Sequence, residues 1–371
     1  MNSPSPLHIL HIVESFGAGT FTAILCLCRS LGEAQGFRHS VAYGLRPETP
    51  TDFAQMFPDT ARFHPIGMQR TIHPAKDAAA LKELVLLIRD CNPDIMHCHS
   101  SKAGVLGRLA ARICRLPSVY TPHGYSFLRT DVSKAQKNFF IAVEWLFARV
   151  GSAVAACGEE EYILARKLGG PNRMVQRVLN AVDLESLSEI TPFAWGKKLP
   201  VAGICGRLTA QRMPELFFAL VGQLQNEVSW VWIGGEKNSS CPPEVEMTSW
   251  LPREDALSRI AGLDIYVHTS SWEGLSYSIL EAMALGKPVV ACKIPANEAI
   301  VEHGVTGFLG ADAAELAGYV LELARNPILR EKMGAAGRER IAQRHDIKTA
   351  YQAYADLYRS LALGKGGENH A

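Results

Sequence analysis

Short apolar runs recur along this chain, each closing in a loop of glycine, serine, histidine or charged residues, with helical stretches between them. HILHIV (8–13), SVAYGL (40–45), DIMHCHS (94–100), SVYTPHG (118–124) and SAVAAC (152–157) read as strands. Residues 21–31, 75–90, 103–113 and 134–150 carry helical periodicity. Strands separated by helices cannot pair as hairpins, so they must pair in parallel and build an open α/β sheet. A second series follows with LPVAGICG (199–206), SWVWIG (229–234), DIYVHT (264–269) and PVVACK (288–293). The stretch from Asp183 to Pro200 has two prolines, several polar residues and no period, and 184–199 is expected to be a linker. The expected organisation is therefore an α/β domain over 1–183 and a second over 200–345. A last helix over 346–363 is expected to pack back on the first domain.

Length supports this division, since 371 residues suit two domains of roughly 150–190 residues each. Hydrophobic residues make up 47% and charged ones 20%, so large cores can form. A net charge of +1 argues against a dedicated nucleic-acid binder. The start, MNSPSPLHILHIV, lacks the basic region of a secretory signal, and no apolar run reaches the roughly 20 residues that span a bilayer. The nine cysteines are expected to be reduced core residues of a cytoplasmic protein. His97-Cys98-His99 is the nearest thing to a metal cluster; no Cys-x-x-Cys accompanies it, and no metal site is expected.

Open parallel sheets bind ligands at the carboxyl ends of their strands. After VAGICG come Arg207 and Arg212, in a loop that opens the helix from Glu215. A helix N-terminus attracts anions, and two guanidiniums there suit a diphosphate, although two arginines in a surface loop would read the same way. After DIYVHT comes Glu273, then Ser276 as the expected N-cap of a helix closed by Gly286. Glu281 lies on that helix among Leu280, Met283 and Leu285, so it is expected to bond something specific, and its two acceptor oxygens suit a ribose diol.

These segments resemble the E-x7-E element of the retaining GT-B-fold glycosyltransferases of family 4, the glycosyl transferases group 1. GRLTAQRMPEL resembles that family's G-R-L-x-x-x-K-G loop, and the stretches around WEGLSYSILEAM agree in order. So do the glycine loop Gly17-Ala18-Gly19, HCHSSKAG, TPHG and LNAVD. The resemblance implies two Rossmann-like domains facing across a cleft that closes over its donor. It implies that Arg207 and Arg212 hold the diphosphate of a nucleotide sugar, and that Glu273 and His123 stand beside the reacting sugar. It further implies donor contacts from Gly17, Gly19, Trp250, Leu251, Gly274, Leu275, Ser276 and Glu281. His99, Ser100 and Lys102 become acceptor-side candidates. The chain departs from the pattern at Arg212 (usually lysine), at Met213 (usually glycine) and at Asn180-Ala181 (usually Asn-Gly). A turn needing positive φ would be strained at Ala181.

The implied activity is retaining transfer of a sugar from a nucleotide-diphosphate sugar, UDP ahead of GDP, to a glycan or lipid-linked acceptor of lipopolysaccharide, O-antigen, capsule or exopolysaccharide assembly. No D-x-D triplet occurs, so no divalent metal and no cofactor beyond the donor are expected. Two alternatives stay open: a GT-B-like epimerase or hydrolase of sugar nucleotides, and a non-catalytic nucleotide-binding protein. The helix 134–150 combines Lys134, Lys137 and Arg149 with Phe139, Phe140, Trp145 and Phe147. It reads equally as a packed helix or as a contact with the inner face of the cytoplasmic membrane.

Overall fold

The apolar runs form parallel strands in two separate sheets. In the computed structural model, which describes residues 5–367, the first sheet holds β1 (Leu7–Val13), β2 (Phe37–Tyr43), β3 (Arg62–Pro65), β4 (Ile95–His99), β5 (Ser118–Thr121), β6 (Ala153–Ala156) and β7 (Met174–Arg177). The second holds β8 (Val201–Cys205), β9 (Ser229–Ile233), β10 (Val245–Met247), β11 (Ile265–His268), β12 (Val289–Cys292) and β13 (Gly307–Gly310). Strand order is β3-β2-β1-β4-β5-β6-β7 in one sheet and β10-β9-β8-β11-β12-β13 in the other. These are two Rossmann-like α/β domains. In each sheet the order reverses beside the first strand, between β1 and β4 and between β8 and β11. An open sheet splits its covering helices at such a point and leaves a crevice outside the carboxyl ends.

One unit takes in the chain up to Leu128, Val132–Asn180 and the chain from Ile347 onward; the other takes in Arg129–Asp131 and Ala181–Asp346. The stretch 184–199 is held within the second unit. It begins with a short helix, Leu184–Ser188, whose Asp183 side chain accepts from Ser186 N. Phe193 N then donates to Ser258 O at 3.0 Å, and the Arg259 guanidinium lies 3.3 Å from the centre of the Phe193 ring.

Residues of the second core, among them Trp230, Trp232, Phe217, Leu220 and Val267, are almost fully buried. In the first domain the helix Ser101–Cys114 lies so close to its sheet that only glycine fits at two positions. A Cβ on Gly104 would stand 2.4 Å from the Tyr120 ring, and one on Gly107 would stand 2.4 Å from Cys98 Sγ. The same helix carries Arg108, which is 1% exposed and stacks 4.1 Å from the Tyr120 ring centre. Its Nη2 lies 3.4 Å from Glu144 on the helix Lys134–Phe147, and Tyr120 donates to the same carboxylate at 2.8 Å. Burial raises the Glu144 carboxyl, and Arg108 and Tyr120 draw it back. A single buried ionic cluster thus pins that helix down.

The helix Gln352–Gly367 belongs to the first domain. Tyr354 and Tyr358, expected to be packing residues, also bond polar groups: Tyr358 Oη lies 2.6 Å from His97 Nδ1, and Tyr354 Oη 3.4 Å from Thr121 Oγ1. The nine cysteines are all free, with Cys91, Cys114 and Cys205 only partly buried. No helix among the described residues is long and apolar enough to cross a membrane.

Removing one partner of a buried ion pair strands the other charge. Arg108→Met is therefore expected to lower stability by about 3–5 kcal/mol in urea unfolding, with much of it recovered in Arg108→Met/Glu144→Leu.

Candidate functional site

The loops after β8 and β11 flank the crossover of the second sheet and are stitched together by side chains. After β8, Gly206 sits at φ 140 with the Arg212 guanidinium against it; a Cβ there would stand 2.8 Å from Arg212 Nε. A 3₁₀ turn, Ala210–Arg212, then leads through Met213 into the helix Pro214–Leu224. Arg212 Nη1 reaches Glu273 Oε1 at 2.6 Å and Ser270 Oγ at 2.8 Å. Gln211 donates to Glu273 Oε2 at 3.2 Å and to Trp272 O at 2.9 Å, while Ser271 N donates to Gln211 O at 3.0 Å. His268, fully buried at the end of β11, bonds Glu273 Oε1 at 3.2 Å.

This network sets the charges. Burial alone would raise the Glu273 carboxyl, but Arg212 and His268 bring it down to about 2. Burial, with Arg212 beside it, holds His268 down to about 4, so it is neutral. The cation of Arg212 is thus matched by Glu273. Arg207, directly after Gly206, is partly buried. Its other expected partner residue in the loop, Arg212, is tied inward.

Glu281 is 6% exposed on the helix Tyr277–Ala284, and its specific partner is Arg253, whose Nη2 lies 2.6 Å from Oε1. Burial pushes the Cys205 thiol up to about 12, with Glu281 adding to the effect and Arg212 and Arg253 opposing it. Both ion pairs therefore surround the end of β8. Trp250 is 39% exposed and its ring lies along Gly234, at the end of β9; Leu251 is partly buried beside it in sequence. Gly274, Leu275 and Ser276 follow Glu273 into the helix, the last two buried. Ser276 occupies the N-cap position, yet its hydroxyl bonds Ser278 Oγ at 3.1 Å and does not cap the helix.

The glycine loop of the first domain has ordinary backbone at both of its glycines. Gly17 is extended at φ −167 and Gly19 lies within the helix Ala18–Ser30, so neither uses glycine's freedom; the positive φ falls on Ala18, at 49. A Cβ on Gly17 would meet Glu48 Cβ at 3.3 Å. The strain foreseen at Ala181 is absent as well, because Ala181 has no positive φ. Four non-glycine residues with positive φ, Ala18, Ser100, His123 and Met213, stand where the chain leaves the carboxyl ends of β1, β4, β5 and β8, with Ala18 opening its helix. Backbone strain of this kind costs of order 1–3 kcal/mol per residue and concentrates at functional sites.

The acceptor-side candidates are placed differently from one another. Lys102 is engaged within the domain, 2.6 Å from Asp77 Oδ1 and donating to Thr71 O at 2.6 Å. Ser100 Oγ is buried without a hydrogen-bond partner among the described residues. His99 is 1% exposed and bonds His11 and His123, each at 3.0 Å. His123 itself is partly buried, and burial lowers it to about 4. Sequence reasoning missed Gln211 and His268. A histidine closing an apolar strand, followed by Thr269-Ser270-Ser271, was the available signal.

Residues 191–340 match the family model described as "Glycosyl transferases group 1", and residues 18–181 match the "Glycosyl transferase 4-like domain". The chain is 26% identical over 330 residues to an Escherichia coli protein named UDP-Gal:alpha-D-GlcNAc-diphosphoundecaprenol alpha-1,3-galactosyltransferase, covering 80% of this chain and 83% of that one. Among solved structures it resembles sucrose-phosphate synthase from Thermosynechococcus elongatus, with TM-score 0.81 and 18% identity over 96% of this chain and all of the other. It also resembles Anabaena Alr3699/HepE in complex with UDP and glucose, with TM-score 0.79 and 19% identity over 95% of this chain and 100% of that one.

The Glu273 carboxyl sits below its ordinary value of 4.5 in the folded state, at about 2. Its contribution is therefore full above the unfolded value and disappears as pH falls toward the folded one. Glu273→Gln is expected to lose about 3 kcal/mol in urea unfolding at neutral pH. The gap to the parent protein should close as pH drops from about 5 to about 2, and a gap independent of pH would contradict the pairing.

Proposed function

We infer that this chain, a group 1 glycosyltransferase, moves a sugar with retention of configuration from a UDP-sugar to a glycan or lipid-linked acceptor in the assembly of a surface polysaccharide. The observation that carries this reading is the pair of ionic clusters, Arg212–Glu273 and Arg253–Glu281, gathered around the end of β8 at the crossover of the second sheet. It is supported by the relative named for a UDP-Gal donor and a diphosphoundecaprenol-linked acceptor, and by the fold neighbour solved with UDP and glucose.

In this reading Arg207 and the start of the helix Pro214–Leu224 face the diphosphate, where guanidinium and helix N–H groups offset negative charge. Glu281 keeps Arg253 on Oε1 and offers its second oxygen to the ribose. Glu273 has two duties: it holds Arg212 in place, and it stands at the sugar's edge of the loop. The acceptor hydroxyl oxygen bonds the anomeric carbon from the face the phosphate leaves. The carbon–phosphate-oxygen bond breaks, and that oxygen takes the acceptor's proton. Catalysis is then charge stabilisation and positioning, with the cations supplied by arginine and no divalent metal.

The exposed face of the helix Lys134–Phe147 supports contact with an anionic lipid surface. Phe139, Trp145 and Leu146 are each more than half exposed, and Lys134, Lys137 and Arg149 lie on the same segment. Apolar side chains combined with flanking cations suit the interface where a lipid-linked acceptor resides.

Incubation with UDP-sugars and a diphospholipid acceptor tests the reading. UDP release and an α-linked product from an α-linked donor are expected, at a rate unchanged by EDTA. Glu281→Ala is expected to weaken UDP binding about tenfold, or about 1.4 kcal/mol, while Arg207→Ala also lowers kcat. Equal small effects from both would remove the assignment. Trp145→Ser/Leu146→Ser should reduce co-sedimentation with anionic vesicles several-fold and leave transfer to a soluble acceptor intact.

A further inference from the structure

Four buried or half-buried histidines cross the first sheet in a line. His39 lies on β2, His11 on β1, His99 on β4, and His123 just beyond β5. The registers place them on one face and on a diagonal. His39 is opposite Ile9, His11 lies two positions further along β1, Val13 is opposite His99, and Thr121, opposite His99, precedes His123 by two. The line therefore climbs from inside the sheet to its carboxyl edge.

Its hydrogen bonds have a fixed beginning. His39 Nε2 meets the carbonyl oxygen of Leu31, which can only accept, so that nitrogen carries the hydrogen. A neutral imidazole has one N–H, so His39 Nδ1 is an acceptor, and it faces His11 Nε2 at 2.9 Å. His11 Nδ1 in turn faces His99 Nε2 at 3.0 Å, and His99 Nδ1 faces His123 Nε2 at 3.0 Å. Every link has the same polarity. Burial lowers the pKa of all four rings, which keeps each of them neutral.

We propose that Leu31 O, His39, His11, His99 and His123 form a one-way hydrogen-bond chain that locks His123 as its Nε2–H tautomer and presents Nδ1 at the carboxyl edge of the first sheet as the acceptor for a substrate hydroxyl. The hydroxyl is that of a sugar, which rests on the transferase reading above; the lock itself does not. No hydrogen bond to Nδ1 of His123 occurs among the described residues. The chain is a lock and not a proton conduit, because a proton passed inward would stop at His39, whose other nitrogen meets a carbonyl that cannot carry it onward. His39, His11 and His99 are accordingly positioning residues. The ring nitrogens of His11, His97 and His99 come within 4.8 Å of one another, the spacing of a metal site. Each of those nitrogens already bonds a neighbour: His97 holds Tyr358 and Thr121, and the others hold the chain.

Two-bond ¹H–¹⁵N correlation spectra of the full-length protein with labelled histidine test this directly. The Nε2–H signature is expected at all four rings at neutral pH. An Nδ1–H tautomer or an imidazolium at any of them would overturn the lock, and so would a change on dialysis against EDTA, which would mean a metal-loaded cluster. His39→Leu removes the anchor and should turn His123 into a tautomer mixture, with kcat down about tenfold at unchanged donor KM. His39→Gln can donate to Leu31 O and accept from His11, and should restore both. An unaltered His123 signature in His39→Leu would defeat the proposal; if that variant does not fold, the parent and His39→Gln spectra still decide. A locked tautomer in a protein that transfers no sugar would refute the transferase reading alone.

Discussion

Parallel strands cannot be joined by a tight turn, and most of this molecule follows from that restriction. Each strand must return to the opposite end of its sheet through a crossover, so all carboxyl ends collect along one edge. Where strand order reverses, beside β1 and beside β8, adjacent crossovers leave in opposite directions and the edge opens. The positive-φ residues Ala18, Ser100 and Met213 and the pairs Arg212–Glu273 and Arg253–Glu281 lie beside those points. The remaining edge loops have only to connect, whereas these have to hold side chains against one another.

Holding charges at that edge requires pairing. An isolated guanidinium or carboxylate loses far more hydration on burial than packing returns. Arg212 and Glu273 avoid that cost together, with Gln211, Ser270 and His268 filling the remaining positions. The two arginines of one loop are therefore held differently: Arg212 is tied to Glu273, while Arg207 is partly buried directly after Gly206. The family pattern has a lysine at the second position. Here a planar fork turns its Nε/Nη2 edge to Gly206 and meets the carboxylate through Nη1. Arg108 and Glu144 obey the same rule in the first domain, where the pair fixes a helix whose outer face stays apolar.

What could be read in advance was whatever burial writes into composition. The central strands β1, β4, β8, β11 and β12 are buried on both faces and show as apolar runs broken only by histidine. The unseen strands β3, β7, β10 and β13 are the four sheet edges. RFHP and MVQR are partly exposed, VEM is very short, and GFLG has glycine at both ends, so none forms a run. At the site, Glu281 stood out as a charge among apolar neighbours, while Arg212 and Glu273 were marked by following the strands β8 and β11 and by the resemblance to the family's motifs. Their partners were not legible, because Gln211, His268 and Arg253 become partners only through contacts distant in sequence. The histidine chain was invisible for the same reason: its members come from separate strands, and only the registers align them.

The first domain is discontinuous, and this bears on the order in which the protein can assemble. Tyr358 is completely buried and bonded to His97, yet it lies 261 positions away from that partner. A ribosome delivers the amino-terminal sheet first, with Cys28 of the helix Ala18–Ser30 beside His11 and His39, but the place of Tyr358 against His97 stays empty while Ala181–Asp346 emerges. The half made first is thus completed last. A nascent chain stalled before Tyr358 would leave His97 without its tyrosine cover, open to solvent and to chaperones.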